Sequence, residues 1–317
     1  MGGVLVIGSI NQDYVLLVPR RPAAGETVTA TTLSVRGGGK GANQAAAAVA
    51  AGAEVKLLAR VGDDAAGVAQ RRDLSRRGVD LSLVSDSIGV ATGSAFITVT
   101  ADGENSVTVA PGANDRLRPD DVRGAGAVIS ETAVVVIQLE IPFDAVVEAV
   151  RLCRPQTHLL VNAAPYHPLP GAVLQRIDTL VVNEHEAALL VGSPVVGVDG
   201  ARHAAAAIVA LGPRSVIVTL GAGGAVVASR TEVAGGTEVA GGGGVHVPAP
   251  VVAVVDTTGA GDVFVGTLAA LLADGQPLER AVAVAVEKAS ASVASVGARP
   301  AVTTGSYDDE DPPGAMT

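Results

Sequence analysis

Short apolar runs alternate with longer alanine-rich segments along nearly the whole chain. The runs at 4–8, 55–61, 134–139, 158–162, 179–183, 215–220 and 225–228 are continuous rather than alternating, as expected of strands buried on both faces. Between them, residues 40–51, 65–77, 143–154, 184–191, 201–211, 259–273 and 278–296 read as helices. Strands alternating with helices predict βαβ units, a mostly parallel sheet and helices on both of its faces. Functional residues then gather at the carboxyl ends of the strands.

Segments 14–36 and 92–109 break this rhythm by alternating polar and apolar residues, with turn signals at Pro22-Ala23-Ala24-Gly25 and Ala101-Asp102-Gly103. They read as antiparallel hairpin pieces of a small second sheet (about 12–36 and 92–109) that covers the main domain as a lid. Residues 231–242 repeat Thr-Glu-Val-Ala-Gly-Gly twice, and with the next two glycines they predict a flexible surface loop at about 230–244. Residues 1–302 read as one catalytic domain, and the acidic tail 303–317 as disordered.

Composition narrows the possibilities. The 317 residues are 48% hydrophobic but only 2% aromatic, so the core is built from Val, Leu, Ile and Ala. A mean hydropathy of +0.42 raises the question of a membrane protein. However, no uninterrupted apolar run reaches the ~18–20 residues of a spanning helix. The start of the chain lacks a basic signal-peptide region. The single cysteine, Cys153, leaves no internal disulfide and fits a reducing cytoplasm, where it reads as a small buried hydrophobe. A net charge of −10 without a basic stripe argues against nucleic acid as a partner, though not against a nucleotide ligand.

The richest chemistry lies in Asp256-Thr257-Thr258-Gly259-Ala260-Gly261-Asp262. This run sits between an apolar stretch, 247–255, that reads as a strand and a helical segment from 263. Glycines at a helix N-terminus expose successive N–H groups where the macrodipole favours negative charge. A carboxylate, Asp262, stands at the mouth of this anion hole. A base beside an anion hole is what phosphoryl transfer to a hydroxyl requires. Taken alone, the heptapeptide is equally a Gly-x-Gly turn with an aspartate capping the next helix.

Other segments break the tie. Gly38-Gly39-Lys40-Gly41-Ala42-Asn43-Gln44 before an alanine-rich helix, with the later Gly-Ala-Gly-Asp, resembles the two signatures of the ribokinase (PfkB-type) carbohydrate kinase family. Further matches follow in order: Gly8-Ser9-Ile10-Asn11-Gln12-Asp13, Gly112-Ala113-Asn114, Gln138-Leu139-Glu140, Asn183-Glu184-His185-Glu186 and Thr219-Leu220-Gly221. The resemblance extends from about residue 4 to residue 301. It implies a ribokinase-like three-layer α/β/α core with a mostly parallel central sheet and a small β-sheet lid. The implied activity is ATP-dependent phosphorylation of a sugar, D-ribose at its O5 hydroxyl, by a cytoplasmic homodimer paired through its lids.

Carried over by position, the resemblance implies that Asn11, Asp13, Gly39, Lys40, Gly41, Asn43 and Glu140 hold the sugar. Asp262 is then the base, with Gly259, Ala260 and Gly261 as the anion hole. Asn183, Thr219, Leu220, Gly221, Ala222, Gly223, Gly224 and Gly261 would meet ATP, and Glu186 would support magnesium, possibly through water. A monovalent cation, potassium, would be held by Asp256, Thr258, Ser292, Ser295, Gly297 and Ala301. Without the resemblance, Asn11 and Asp13 are turn residues closing the first strand, Glu140 is a helix-start charge, and Glu186 belongs to an acidic first helical turn.

Three positions depart from the family pattern. Val286 stands where His or Asn commonly flanks the adenine, Gly37 where a larger residue is more frequent, and Ser295 in place of an arginine. Rival readings are a kinase of 2-deoxyribose, of another sugar or of a nucleoside, and, from another class, a sugar-binding sensor without catalysis. A dinucleotide-dependent dehydrogenase is set aside, because Gly8-Ser9-Ile10-Asn11 is not the glycine fingerprint expected after its first strand.

Overall fold

The computed structural model describes residues 3–299 except 101, 103, 234–236 and 241–243. In chain order the elements begin with β1 (Val4–Ile7), β2 (Asn11–Val18), β3 (Thr32–Gly38), α1 (Lys40–Ala50), β4 (Val55–Gly62), α2 (Ala65–Arg76), β5 (Val84–Ser87), β6 (Gly93–Thr100) and β7 (Asn105–Ala110). There follow α3 (Pro119–Gly124), α4 (Gly126–Glu131), β8 (Val134–Gln138), α5 (Phe143–Leu152), β9 (His158–Asn162), α6 (Gly171–Leu174), β10 (Thr179–Asn183), α7 (Glu184–Val191), α8 (Gly197–Leu211) and β11 (Ser215–Thr219). The last are β12 (Ala225–Val233), β13 (Thr237–Ala240), β14 (Val245–Val247), α9 (Ala260–Ala273) and α10 (Leu278–Ser292).

The main sheet runs in the order β13-β12-β11-β10-β9-β8-β1-β4-β5, with β14 also paired to β12. From β5 to β11 every pairing is parallel. Side-chain alternation on its buried strands explains the two layers of helices. Val4 and Val6 of β1 face one apolar cluster with α1, α9 and α10, whereas Leu5 and Ile7 face the other with α5 and α8. Because β4 and β8 flank β1 on opposite sides, the chain leaves the centre of the sheet in both directions. A crevice therefore opens at the carboxyl ends of β1 and β8.

The second sheet has the order β3-β2-β6-β7. Its two outer pairings are antiparallel, as the polar–apolar alternation implied, but the central pair β2 and β6 is parallel. Strand β2 starts at Asn11, so Asn11 and Asp13 belong to this smaller sheet rather than to a turn closing β1. The apolar stretch 247–255 is another correction. Only Val245–Val247 is strand, and residues 248–255 continue as irregular chain. Pro248 and Pro250 remove two backbone donors that a strand would need.

The tandem repeat, expected as a loop, pairs with itself. Thr231 faces Val239 and Val233 faces Thr237 across an antiparallel ladder. Residues 234–236, 241–243 and the tail 303–317 lie outside the described residues. Cys153 caps α5, and burial pushes its thiol up to about 12, which leaves it inert as a small apolar residue. Among the described residues no helix is long and apolar enough to cross a membrane.

A close helix contact places the start of α9. A side chain on Gly266 of α9 would put its Cβ 2.4 Å from the carbonyl oxygen of Gln44 and 2.6 Å from the methyl of Ala47, both on α1. Gly266→Val must therefore force the two helices apart. We expect a loss of about 1–3 kcal/mol in unfolding free energy from urea denaturation, and a variant as stable as the parent chain would contradict this packing.

Candidate active site

Asp262 lies in the first turn of α9, behind Gly259, whose φ of 79° places it in the left-handed region. That conformation suits glycine, and a Cβ there would also come within 2.4 Å of the backbone of Ala298. The Asp262 carboxylate is buried, yet both of its oxygens are bound. Asn43 Nδ2 donates to Oδ2 at 3.0 Å and Gln44 Nε2 donates to Oδ1 at 2.9 Å. Gln44 Nε2 also reaches Asn162 Oδ1 at 3.1 Å, and Gln138 Nε2 donates to Gln44 Oε1 at 2.6 Å. A chain of side-chain amides from the ends of β8 and β9 thus holds the carboxylate through neutral donors.

The residues expected to meet a sugar converge beside it. Asn11 Oδ1 accepts from Asn114 Nδ2 at 2.7 Å, and the Asn114 carboxamide clamps Ile10 by accepting from its N–H at 2.9 Å and donating to its carbonyl at 3.2 Å. Glu140 Oε2 accepts from the Ser9 hydroxyl and from the backbone N–H of Lys40, the latter at 3.0 Å. Gly39, with φ 86°, turns the chain from β3 into α1, and a Cβ on it would stand 2.6 Å from the backbone nitrogen of Asn11. Gly41 lies equally close to the backbone of Gly8 and Ser9, bringing α1 against the end of β1.

Charge is concentrated here. Burial lifts the Asp13 carboxyl to about 6; Glu140 adds to the rise, Arg299 opposes it, and Asp262 adds a little more. Asp13 Oδ1 is buried with no hydrogen-bond partner among the described residues, and the residue lines a cavity of about 480 Å³ under the small sheet with Val15, Leu17, Arg36 and Asp256. Burial pulls the Lys40 ammonium down, but Asp262, Glu140 and Glu186 together outweigh it and leave the group above its ordinary value.

A second, mainly apolar cavity of about 360 Å³ adjoins the start of α9 and is lined by Thr219, Gly221, Ala222, Gly224, Gly261 and Val286, among others. Val251, Val252 and Val254 from the irregular stretch form another wall. Leu220 and Gly223 do not line it, and Leu220 packs instead against the apolar core. Asn183 and Glu186 are not in its lining. They form a reciprocal capping box at the start of α7, with Asn183 N–H donating to Glu186 Oε2 at 2.9 Å and Glu186 N–H to Asn183 Oδ1 at 2.8 Å. Burial raises the Glu186 carboxyl, against the bond from Asn183 and the pull of Lys40 and of His185, which is itself exposed.

The proposed cation ligands also converge, apart from Ala301, which lies outside the described residues. Asp256 accepts from the N–H of Thr258 at 2.9 Å and of Gly297 at 3.0 Å, and Arg36 approaches it at 3.4 Å. The hydroxyls of Ser292 and Ser295 are spent on carbonyls at the end of α10. Among the described residues no group of three or more His, Cys, Asp or Glu is arranged to hold a metal by itself. Sequence reasoning gave no role to Asn162 or Arg299. Asn162 carried a signal, a polar residue at the carboxyl end of a core strand, but Arg299 follows the last helix and carried none.

The sequence pattern of the pfkB family of carbohydrate kinases matches residues 1–304. The chain is 36% identical over 305 residues to ribokinase of Bacillus subtilis, covering 96% of this chain and 97% of that protein. It is 34% identical over 296 residues to a deoxyribokinase of Salmonella typhimurium, covering 93% of each. The fold superimposes on Arabidopsis thaliana ribokinase complexed with ribose and ATP with a TM-score of 0.80, at 29% identity and 94% coverage of both chains.

The raised Asp13 carboxyl generates a pH dependence. Above about 6 it is ionised and accepts hydroxyl hydrogen bonds; as pH falls through that value it protonates and loses that capacity. The sugar KM is expected to climb below about pH 6, where an ordinary aspartate would hold it flat to about pH 4. Asp13→Asn should show a high KM with no such limb. A KM that stays level down to pH 4.5 in the parent chain would remove Asp13 from sugar binding.

Proposed function

From the premise that the chain belongs to the pfkB family of carbohydrate kinases, we propose that it transfers the terminal phosphoryl group of ATP to the O5 hydroxyl of D-ribose. The observation that carries this is the Asp262 carboxylate, buried at a helix N-terminus and bound on both oxygens by neutral amides. The amides fix the orientation of the carboxylate while leaving lone pairs on both oxygens, and these can take a hydroxyl proton.

Asn11, Asp13, Asn43 and Glu140 accept and donate to adjacent sugar hydroxyls. Gly39, Lys40 and Gly41 close the pocket from the start of α1. Lys40 stays protonated among its carboxylates and offers a positive charge to the transferring group. The backbone N–H groups of Gly259 and Gly261 face charge that develops on the phosphoryl oxygens, and the α9 dipole adds to them. The Ala260 N–H, which donates to the Thr257 carbonyl at 3.3 Å, joins them only on leaving that bond. Thr219, Gly221, Ala222 and Gly224 border the nucleotide, Val286 supplies an apolar wall for its base, and Leu220 and Gly223 shape the turn between them.

Magnesium, when bound with ATP, neutralises phosphate charge and keeps most of its waters. Glu186 is the acid that would support it, through water, and the capping bonds with Asn183 fix that carboxylate in place. A potassium ion would be held by oxygens of Asp256, Thr258, Ser292, Ser295 and Gly297, with Ala301, outside the described residues, as the last of the expected ligands. Arg36 already sits on the Asp256 carboxylate, so the ion and the lid compete for it. Exposed Leu17, Leu33, Val35, Phe96, Val107 and Val109 on the small sheet support pairing of two lids in a homodimer.

The deoxyribokinase relative favours a second reading, with 2-deoxyribose as substrate. The unpartnered Asp13 oxygen favours the sugar with more hydroxyls. ADP release from MgATP across ribose, 2-deoxyribose, fructose and adenosine separates these readings. Ribose should give the highest kcat/KM, and Asp262→Asn should lower kcat by about 10²–10⁴. Preference for 2-deoxyribose would replace ribose as the substrate, while binding of ribose without turnover would make the chain a sensor. Light scattering should give about twice the 31.3 kDa chain mass, and the chain mass alone at micromolar protein would contradict the lid pairing.

A further inference from the structure

Arg299 stands in the loop after α10, two positions beyond Gly297, and its side chain is only 4% exposed. Its nitrogens divide among separate elements. Nε donates to Asn43 Oδ1 on α1 at 3.0 Å, and Nη2 donates to the carbonyl of Gly38, the last residue of β3, at 2.8 Å. Nη1 pairs with Asp73 of α2. The guanidinium fills room that position 37 vacates: a Cβ on Gly37 would stand 2.2 Å from Nη1 and 2.6 Å from Cζ. The glycine that departs from the family pattern and the buried arginine are therefore one steric arrangement.

The bond to Asn43 has a consequence for Asp262. An asparagine amide offers a donor at one end and an acceptor at the other. With Oδ1 held by a cation that cannot accept, Nδ2 is the end presented to the Asp262 carboxylate. We propose that Arg299 is a positioning residue for the phosphoryl transfer: it fixes the orientation of the Asn43 amide, and through it the Asp262 carboxylate, while fastening the lid hinge at Gly38 to the C-terminal loop. This rests on the sugar-kinase reading of the site. A lysine cannot do the same, because a single ammonium on a flexible stem does not reach three acceptors spread around a planar fork. Removing the fork leaves Asn43 Oδ1 and the Gly38 carbonyl without their buried donor. The carboxamide is then free to turn, and β3 is free to shift against α1.

The test is a double-mutant cycle on Arg299→Ala and Gly37→Ala, with sugar KM, ATP KM and kcat measured by ADP release and the folded fraction by circular dichroism and urea denaturation. Per folded molecule, Arg299→Ala should lower kcat about 10- to 100-fold and raise the sugar KM, as expected for a misplaced reacting group. The ATP KM should stay within about twofold, since the arginine contacts nothing in the nucleotide cavity. Gly37→Ala should shift the same parameters in the same direction by displacing the guanidinium. The double variant should be little worse than Arg299→Ala, because the added methyl then meets only the end of the Gln70 side chain, Oε1 at 2.8 Å, which can turn into the space the guanidinium leaves. Added methylguanidinium should restore part of the kcat of Arg299→Ala.

Unchanged kcat and sugar KM in folded Arg299→Ala would overturn the proposal. Additive losses in the double variant would do the same, as would a loss fully explained by the unfolded fraction. Should Arg299→Ala not fold, Gly37→Ala decides alone, and parental kinetics in that folded variant would overturn it. A parent chain with no sugar-dependent turnover would instead remove the sugar-kinase reading and this proposal with it.

Discussion

The site depends on how closely α1 and α9 approach. Their facing positions are alanine and glycine, so backbone meets backbone and the amides at the start of α1 reach a carboxylate at the start of α9. A carboxylate buried without donors would neutralise itself or destabilise the fold. Here donors arrive from α1, and Gln44 is tied in turn to Asn162 and Gln138 at the strand ends. Small residues at the helix contact and polar residues at the strand ends are thus one requirement: the first brings the Asp262 carboxylate to the crevice, and the second satisfies its oxygens there.

The two sheets meet at the same point. Strand β3 ends at Gly38, Gly39 turns the chain and α1 begins at Lys40, so the small sheet joins the main domain beside Asn43 and Asp262. Asp13 belongs to β2 of that sheet, while Asp262 and Asn43 belong to the main domain. Carboxylates from both parts thus lie near one another, and Asp13 is raised first by its own burial and then by Glu140, with Asp262 adding a little. Arg299 adds a cation where those charges accumulate, and it does so from the loop next to Asp256 and Gly297.

Much of this was legible in the chain. Continuous apolar runs marked the parallel strands because both faces of that sheet are covered, and polar–apolar alternation marked the small sheet because one of its faces is exposed. The motif residues Asp262, Asn43, Asp13 and Glu140 do come together. Other features were hidden for physical reasons. The stretch 247–255 is apolar enough for a strand, but its prolines deny it a ladder, and its valines line a cavity instead. The small sheet was expected to begin at about residue 12, which took in Asp13 and left Asn11 just outside, while the parallel pairing of β2 with β6 joins segments far apart in sequence and left no local signal. Asn183 and Glu186 read as nucleotide-side residues, while locally they satisfy each other as a helix cap. Arg299 has no periodic neighbours at all, and only the tertiary fold gives it acceptors.

The distribution of charge explains how an acidic chain can host a polyanion. Asp13, Glu140 and Asp262 gather on one side of the site, which the proposal gives to the sugar, and Glu186 lies beyond Lys40. The adjoining cavity is lined by glycines, threonines and valines, and what it offers an anion is backbone N–H at the start of α9. Lys40 sits where these regions meet, its charge held up by Asp262, Glu140 and Glu186 rather than by solvent. A hydroxyl at that boundary finds a base on one side and electrophilic dipoles on the other. Carboxylates spread through both regions would repel the phosphates, and lysines in their place would pair with the carboxylate and weaken it as a base. The separation of the two chemistries along a single helix start makes transfer between them possible.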